Sequence, residues 1–447
     1  MNKTPREIAL EILYSINEKG AFSNIALKKA INKFEIRGID KAFITELVYG
    51  CIERKMTLDW VIEKFSNIRV DKMNKYIRNI LRMGVYQIVF LDKVPISAAC
   101  NESVNLAKKY GPMKLTGFVN GVLRNIARNI DELEFPSLKT DPIEHISIKY
   151  SFPKWMIKKW IKLYGVDFTL ALCKFTNKRP EFSIRVNTIK TTKDDLKLLF
   201  EKQGFEVSDG KYVKEALRIK GVKPVEELES YHKGFFQPQD EGSMMVSHVL
   251  NPQPGDLIVD VCAGPGGKTT HIAQLMNNKG CIISRDVYEH KLILIRNLCK
   301  RLGIDIVKTE LKDATIEDES LREKADRVLV DVPCMGFGVI RRKPDIKWTK
   351  DEHQIKEMVK LQKKILEISS KYVKKNGILL YTTCSIGPEE NEEVVKGFLN
   401  KHRDFTLRNL KPFFEKKFNF SQPTAWQQLF PHIHGVDGFF MACMEKL

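Results

Sequence analysis

Apolar residues in the first 140 positions recur at the spacing of helices. One face of the first such stretch carries Ile8, Ala9, Ile12, Leu13 and Ile16. Residues 77–90 (IRNILRMGVYQIVF) repeat this period and predict a buried helix, and residues 117–130 predict another. Because nothing in this region alternates with the period of two that marks a half-buried strand, we predict an all-helical domain over residues 1–140.

Residues 141–235 mix both periods. The stretches 180–189 (PEFSIRVNTI) and 205–208 (FEVS) predict strands, and 194–204 (DDLKLLFEKQG) predicts a helix that ends at a glycine. This order predicts a small α/β subdomain between two larger domains.

From residue 236 to residue 447, apolar runs alternate with helical stretches. Strands are predicted at 256–262, 280–286, 325–333 and 377–384, and their nearly continuous apolar character is typical of central parallel strands covered on both faces. The final FFMACME (439–445) suggests an antiparallel edge strand. We therefore predict a doubly wound α/β domain whose ligands bind outside the carboxyl ends of its strands.

Composition narrows the class of protein. The 447 residues carry a net charge of +18, and residues 1–140 hold 23 Lys and Arg against 15 Asp and Glu. A net positive charge of this size attracts polyanions such as nucleic acids, although a Lys-rich solvated surface without any such partner would give the same charge. The nine cysteines form no CxxC pair, so neither a zinc site nor a disulfide framework is expected. Without a long apolar run or a signal peptide, we expect a cytosolic protein.

A glycine-rich turn between a predicted strand and a predicted helix suggests a nucleotide or nucleoside site. A phosphate-binding Walker loop is excluded, since Cys262 stands where that motif needs its first glycine. A nucleoside cofactor such as S-adenosylmethionine fits better: Asp286, at the end of the next strand, is placed for ribose hydroxyls, and Asp313 for the adenine. The loop residues are Cys262, Ala263, Gly264, Pro265, Gly266, Gly267 and Lys268.

Two further strands each end in a cysteine. One closes with Asp331 and Cys334, the other with Cys384, after which Pro388 opens an acidic helix start. Parallel strands lie about 4.8 Å apart, so both thiols are expected at one edge of the sheet. The cations after Cys334, with Trp348 interleaved, suit a phosphate backbone and an unstacked base. They are Arg341, Arg342, Lys343 and Lys347.

Two thiols beside such a cofactor suit methylation of cytosine at carbon 5. A thiolate that adds to carbon 6 makes carbon 5 electron-rich, and a second acid/base group is needed to let the product leave. Asp331 is placed to bind the protonated N3 or the exocyclic amine.

These motifs resemble the RNA cytosine-5 methyltransferases of the Nop2/Sun family. The resemblance includes residues 235–273, 331–348, 381–392 and 437–442, and the N-terminal third resembles the RNA-binding factor NusB. It implies a Rossmann-like class I methyltransferase domain, mostly parallel with an antiparallel last strand. It also implies that S-adenosylmethionine binds to the loop of residues 262–268 and to Asp286, Asp313 and Asp331. The substrate it implies is small-subunit (16S) ribosomal RNA.

The resemblance further assigns the two cysteines. Cys384 would be the nucleophile and Cys334 would assist product release. Four positions depart from the family pattern: Gly264 replaces an alanine, Met335 and Phe337 replace hydroxyl residues, and Arg285 stands where a small or apolar residue is usual. Two alternatives stay open, namely the same chemistry on transfer RNA and a catalytically idle RNA-binding or ribosome-assembly factor.

Overall fold

The computed structural model describes residues 3–221, 225–413 and 425–447. The chain divides into two compact units. The helical unit extends to Lys178 and includes Arg342–Lys350, and the sheet unit comprises Arg179–Arg341 and Asp351–Leu447. Within the described ranges, no helix has both the length and the apolar character needed to cross a bilayer.

Among its described residues, the helical unit contains ten α-helices of nine residues or more and a one-turn α-helix, Ile346–Thr349. The ten are α1 (Pro5–Lys19), α2 (Ser23–Lys33), α3 (Gly38–Glu53), α4 (Lys55–Lys64), α5 (Lys75–Phe90), α6 (Ile96–Tyr110), α7 (Thr116–Asn129), α8 (Pro142–Tyr150), α9 (Lys154–Tyr164) and α10 (Val166–Thr176). Helix α5 is buried over most of its length and contacts α1, α3, α4, α6 and α7. A Cβ on Gly50 would lie 1.9 Å from the ring of Tyr86, so α3 and α5 can pack this closely only with glycine there. The prediction of a buried helix over 77–90 is confirmed.

The helices continue past residue 140, where the sequence suggested a boundary. Asp141 caps the start of α8, accepting a hydrogen bond from the backbone N–H of Glu144 at 2.9 Å. Helix α8 packs on α4, and the N–H of Met56 donates to Ser151 Oγ at 2.9 Å. Helices α8 to α10 therefore belong to the helical unit, and the first strand of the chain begins only at Phe182.

The sheet unit begins with a four-stranded antiparallel sheet of order β2-β3-β1-β4. Its elements are β1 (Phe182–Val186), α11 (Lys193–Lys202), β2 (Glu206–Asp209), β3 (Ala216–Lys220), a one-turn helix Glu229–His232, and β4 (Phe236–Pro238). Strands β1 and β2 run parallel with β3 between them, which makes a split βαβ arrangement. The predicted strand, helix and strand are all present, and β4 extends this sheet beyond residue 235.

A second sheet of eight strands has the order β10-β12-β9-β8-β5-β6-β7, with β11 also paired to β12. The strands are β5 (Leu257–Asp260), β6 (Cys281–Asp286), β7 (Val307–Leu311), β8 (Ala325–Asp331), β9 (Val373–Thr383), β10 (Phe405–Leu407), β11 (Trp426–Gln428) and β12 (Phe440–Lys446). Strands β5 to β9 are parallel and β12 is antiparallel to β9, as predicted. The prediction that 439–445 form an edge strand is wrong, because β10 and β11 pair with β12.

Helices cover both faces of this sheet. They are α12 (Glu241–Leu250), α13 (Gly267–Leu275), α14 (Glu289–Leu302), α15 (His353–Ser370) and α16 (Glu392–Lys401), with a one-turn helix at Pro431–His434. Neighbouring strand residues alternate between two cores: Ile258 packs with α12, α13 and α14, whereas Val259 packs with α15 and α16. The doubly wound α/β fold predicted from the apolar runs is confirmed.

Candidate active site

The carboxyl ends of β8 and β9 bring two thiols together. Asp331 of β8 lies opposite Thr382 of β9 in the parallel register, so Cys334 and Cys384 both follow at the same edge of the sheet. Their Sγ atoms are 3.1 Å apart. Both side chains are partly buried, neither being enclosed in a hydrophobic interior.

The two thiols do not have the same environment. Contact with Cys384 raises the pKa of Cys334 well above its ordinary value, and burial and the nearby carboxylates of Glu390 and Asp331 raise it further. Cys334 therefore keeps its proton at neutral pH. A second ionisable sulfur beside the first is what an acid/base role requires.

Lys268 supplies a cation to the same edge. Its Nζ donates to Asp331 Oδ2 at 2.7 Å and lies 5.0 Å from the centre of the Phe439 ring. Burial lowers the pKa of Lys268, but the Asp331 carboxylate and the Cys384 sulfur raise it by more, so the ammonium stays charged. A fixed positive charge near Cys384 favours the thiolate form of that side chain.

The glycine-rich turn lies between β5 and α13, where the strand order reverses. The N–H of Gly264 donates to Asp286 Oδ2 at 3.2 Å. A Cβ on Gly264 would lie 2.4 Å from Lys291 Cδ and 2.6 Å from that oxygen, so this close approach depends on glycine. Gly266 has a φ of 100°, and α13 begins at Gly267. Within the turn, burial raises the pKa of Cys262 far above the range of a reactive thiol.

The acidic residues assigned to the cofactor differ in position. Asp286 is 5% exposed at the end of β6, and its Oδ1 accepts the N–H of Tyr288 at 3.1 Å. Asp313 is exposed, two residues beyond β7, and accepts the N–H of Thr315 at 2.8 Å. Beneath the turn, burial raises the pKa of Asp260 to about 7. The role of Asp313 stays a prediction.

The cations that follow Cys334 do not form one surface. Lys347 is 1% exposed, and its Nζ donates to Asn177 Oδ1 at 3.0 Å inside the helical unit. The Trp348 indole donates to the backbone oxygen of Ile52 at 2.7 Å. The assignment of Lys347 to RNA binding is wrong, because a buried, hydrogen-bonded ammonium cannot reach a phosphate.

The same reasoning applies to the first of these cations. The side chain of Arg341 is 6% exposed and lies 3.8 Å from Asp437 within the sheet unit. Its assignment as a phosphate ligand is therefore also wrong. Arg342 is half-buried and Lys343 is exposed, so their contact with RNA stays a prediction.

The unusual Arg285 has a structural explanation. Its Nε donates to Glu310 Oε2 at 2.8 Å and its Nη2 to Asp318 Oδ2 at 2.6 Å, while the side chain itself is buried. The guanidinium thus neutralises two carboxylates from segments that follow β6 in the chain. Met335 and Phe337, the other departures, are both buried.

Two buried residues next to the thiols were missed in the sequence. Glu390 is 1% exposed although it stands in the acidic stretch read as a helix start, and it hydrogen bonds the residues that follow both cysteines. Gln362 of α15 donates to Glu390 Oε1 at 3.0 Å. The only sequence signal was a glutamate six positions after Cys384.

Comparisons with known proteins cover the whole chain. The family model described as 16S rRNA methyltransferase RsmB/F matches residues 247–445. The NusB family model matches residues 3–128, and the RsmF/B-like ferredoxin-like domain model matches residues 152–226. The probable ribosomal RNA small subunit methyltransferase B of Bacillus subtilis is 37% identical, with 100% of each chain covered.

Solved structures agree with these matches. The crystal structure of PH0851 has a TM-score of 0.82 at 31% identity and covers 100% of each chain. NSun6 from Pyrococcus horikoshii, solved with SFG, has a TM-score of 0.59 at 25% identity, covering 66% of this chain and 99% of its own.

Proposed function

Because the chain belongs to the RsmB/F family of 16S rRNA methyltransferases, we propose that it methylates carbon 5 of a cytosine in 16S ribosomal RNA, through a covalent bond between Cys384 and carbon 6. The resemblance noted in the sequence is thereby confirmed at the level of the family. The observation that carries the finer proposal is the 3.1 Å separation of the Cys334 and Cys384 sulfurs at the edge that also holds the glycine-rich turn.

The residues at this edge fit S-adenosylmethionine as the methyl donor. The ligand is a nucleoside with a sulfonium cation, and two carboxylates contact the turn: Asp286 accepts from the N–H of Gly264, and Asp331 accepts from Lys268. Gly264 lies directly against the side chains of Lys291 and Asp286, so its backbone N–H faces the end of β6, and the N-terminal end of α13 follows at once. Asp286 would hold the ribose and residues 262–268 the rest of the nucleoside. When bound, S-adenosylmethionine supplies an electrophilic methyl group.

The chain's own residues account for activation of the base. The Lys268 ammonium favours the Cys384 thiolate, which forms a bond to carbon 6 and makes carbon 5 electron-rich. The Asp331 carboxylate, paired with Lys268 at 2.7 Å, stabilises positive charge at N3 or the exocyclic amine. The base must be unpaired to reach these groups.

Release requires removal of the proton on carbon 5, followed by cleavage of the bond between sulfur and carbon 6. In the free protein, the Cys384 sulfur is the largest influence that raises the pKa of Cys334. Once Cys384 is bonded to the base, its sulfur no longer carries a thiol proton or a charge. That influence on Cys334 is then removed, so the Cys334 thiol can release its own proton to solvent. The resulting thiolate is placed to take the proton from carbon 5, and the electron pair left behind breaks the bond between carbon 6 and sulfur, so that Cys384 leaves as a thiolate.

The test is methyl transfer from labelled S-adenosylmethionine to 16S ribosomal RNA. We expect Cys384→Ala to abolish transfer, and Cys334→Ala to accumulate an RNA–protein adduct that survives a denaturing gel. Cys281→Ala is the matched control, because this partly buried cysteine begins β6 and so lies at the opposite edge of the same sheet.

Four results would contradict the proposal. Full activity in Cys384→Ala would show that Cys384 is not the nucleophile. The absence of an adduct in Cys334→Ala would show that Cys334 is not needed for product release. Transfer to transfer RNA but not to 16S ribosomal RNA would replace the substrate while leaving the chemistry. Failure of the wild-type chain to bind S-adenosylmethionine in calorimetry would favour the idle assembly factor.

A further inference from the structure

One buried carboxylate joins the two cysteine-bearing loops. Glu390 Oε1 accepts the backbone N–H of Met335 at 2.8 Å, and Glu390 Oε2 accepts the hydroxyl of Ser385. Met335 directly follows Cys334, and Ser385 directly follows Cys384. The same side chain therefore holds the residue after each thiol.

A second buried side chain completes the arrangement. Gln362 Nε2 donates to Glu390 Oε1 at 3.0 Å and to the backbone oxygen of Pro333 at 2.9 Å. The peptide groups on both sides of Cys334 are thus held, one by each member of the pair. Gln362 is 0% exposed and Glu390 1% exposed, so water does not compete for these hydrogen bonds.

We propose that Glu390, supported by Gln362, is a positioning residue for the methyl transfer, and that it acts by setting the separation of the Cys334 and Cys384 sulfurs. The inference rests on the function proposed above. Both sulfurs must reach one pyrimidine ring in turn, and an error of about 1 Å in such placement costs roughly 10²-fold in rate.

The role of Glu390 is geometric rather than electrostatic. Its charge is among the influences that raise the pKa of Cys334, so a carboxylate here makes that thiol harder to ionise. Burial also raises the pKa of Glu390 itself, which means that keeping this carboxylate ionised inside the protein costs free energy. What the carboxylate supplies is two acceptor oxygens, one directed at each loop.

The substitutions separate these two effects. Glu390→Gln keeps one acceptor for Met335 and Gln362, and its amide can donate to the Ser385 hydroxyl, whereas Glu390→Ala removes all three of these side-chain hydrogen bonds. Glu393→Ala is the matched control, since this glutamate lies three positions on and is exposed. Circular dichroism and calorimetry with S-adenosylmethionine verify that each variant is folded.

Two measurements are made on each variant. The first is the rate at which dibromobimane, a short bifunctional thiol reagent, links Cys334 to Cys384 without RNA or cofactor, followed by mass spectrometry of the linked peptides. The second is kcat and KM for methyl transfer. For Glu390→Ala we expect linking to slow at least fivefold and kcat to fall on the order of 10²-fold, with KM for S-adenosylmethionine within twofold. Glu390→Gln should recover most of both rates.

Wild-type linking and kcat in Glu390→Ala would overturn the inference. So would a Glu390→Gln variant as impaired as Glu390→Ala, because charge would then be the active property. If Glu390→Ala does not fold, Gln362→Ala replaces it, and wild-type values in that variant count against the inference equally.

The linking assay also separates this inference from the proposed function. It needs no methyl transfer, so slowed linking in a chain that never methylates cytosine would sink the function and leave the positioning role. If methyl transfer depends on Cys384 but linking is unchanged in Glu390→Ala, the proposed function stands and the positioning role is overturned.

Discussion

Replacing Lys347 by methionine is expected to stabilise the helical unit at neutral pH and to remove part of its pH dependence. The wild-type ammonium is 1% exposed, 3.0 Å from Asn177 Oδ1 and 3.8 Å from the centre of the Phe152 ring. Burial lowers the pKa of Lys347 from 10.5 to about 7. The folded protein therefore gives up a proton that the unfolded chain keeps.

The sign and the size of the effect follow from this shift. Between pH 7 and pH 10.5 the unfolded state binds more protons than the folded state, so wild-type stability rises with pH, by up to about 1.4 kcal/mol per unit. The rise from pH 7 to pH 9 sums to roughly 2 kcal/mol. Below pH 7 both states are protonated and the contribution is constant. Methionine has no titratable proton, so this pH dependence is absent in the variant. The substitution also removes the hydrogen bonds of the Lys347 ammonium, which are worth about 1–2 kcal/mol. The net gain at pH 7 is therefore on the order of 2 kcal/mol.

Tryptophan fluorescence during urea unfolding measures this effect in the full chain. Four of the five tryptophans lie in the helical unit, so the signal follows that unit: Trp60, Trp155, Trp160 and Trp348. Unfolding free energies are compared at pH 7, 8 and 9. Lys343→Met is the control, because it removes the same charge from an exposed neighbour.

The informative quantity is the free-energy difference between Lys347→Met and wild type. We expect it to shrink by roughly 2 kcal/mol from pH 7 to pH 9. A difference that stays constant over this range would refute the assignment of a buried, easily deprotonated lysine. Loss of RNA binding in Lys347→Met, with folding intact, would restore the surface role.

Two further substitutions test the packing around the active site. Gly338→Ala places a Cβ 2.1 Å from the backbone oxygen of Gly438, so we expect thermal unfolding to show a loss of about 1–3 kcal/mol, whereas Gly397→Ala, in open space, should show none. A Gly338→Ala unfolding curve that matches wild type would contradict this close approach. Arg285→Met should destabilise the sheet unit by on the order of 3 kcal/mol at pH 7. Hydrogen bonds from Ser320 and Arg285 hold the pKa of Asp318 at about 2, so this stabilisation is present above pH 3.8 and is lost as pH falls toward 2. Acid unfolding measures it, and equal midpoints for Arg285→Met and wild type would count against the ion pair.

Much of the sheet unit was predictable because its signals are local. Each parallel strand is a short apolar run, and parallel strands must end at the same edge, so the meeting of Cys334 and Cys384 followed without knowledge of the register. The turn at Gly264–Gly267 was readable for the same reason. Strands β10 and β11 were not, since each has three residues, too few to show a period.

The burial of Lys347 is decided by residues far away in the chain. Its partners are Glu53 and Asn177, which lie 294 and 170 positions away. A run of cations beside a tryptophan has the composition of an RNA-binding surface whether or not such partners exist. Only the folded helical unit distinguishes the two cases, and it places the ammonium inside.

The two strand-end cysteines and the residues that set their spacing are encoded differently in the sequence. A strand-end cysteine is visible in a window of ten residues, but Met335 and Glu390 are 55 positions apart, and Gln362 and Glu390 are 28 apart. Glu390 stands among other acidic residues, and no periodicity marks it as the one that turns inward. Its burial has a physical reason nevertheless. A loop that carries Cys334 and a loop that carries Cys384 both need acceptors for groups withdrawn from water, and one carboxylate supplies both. The paired cysteines can therefore be found from strand ends alone, whereas the residues that hydrogen bond to their loops follow from which polar groups the fold buries.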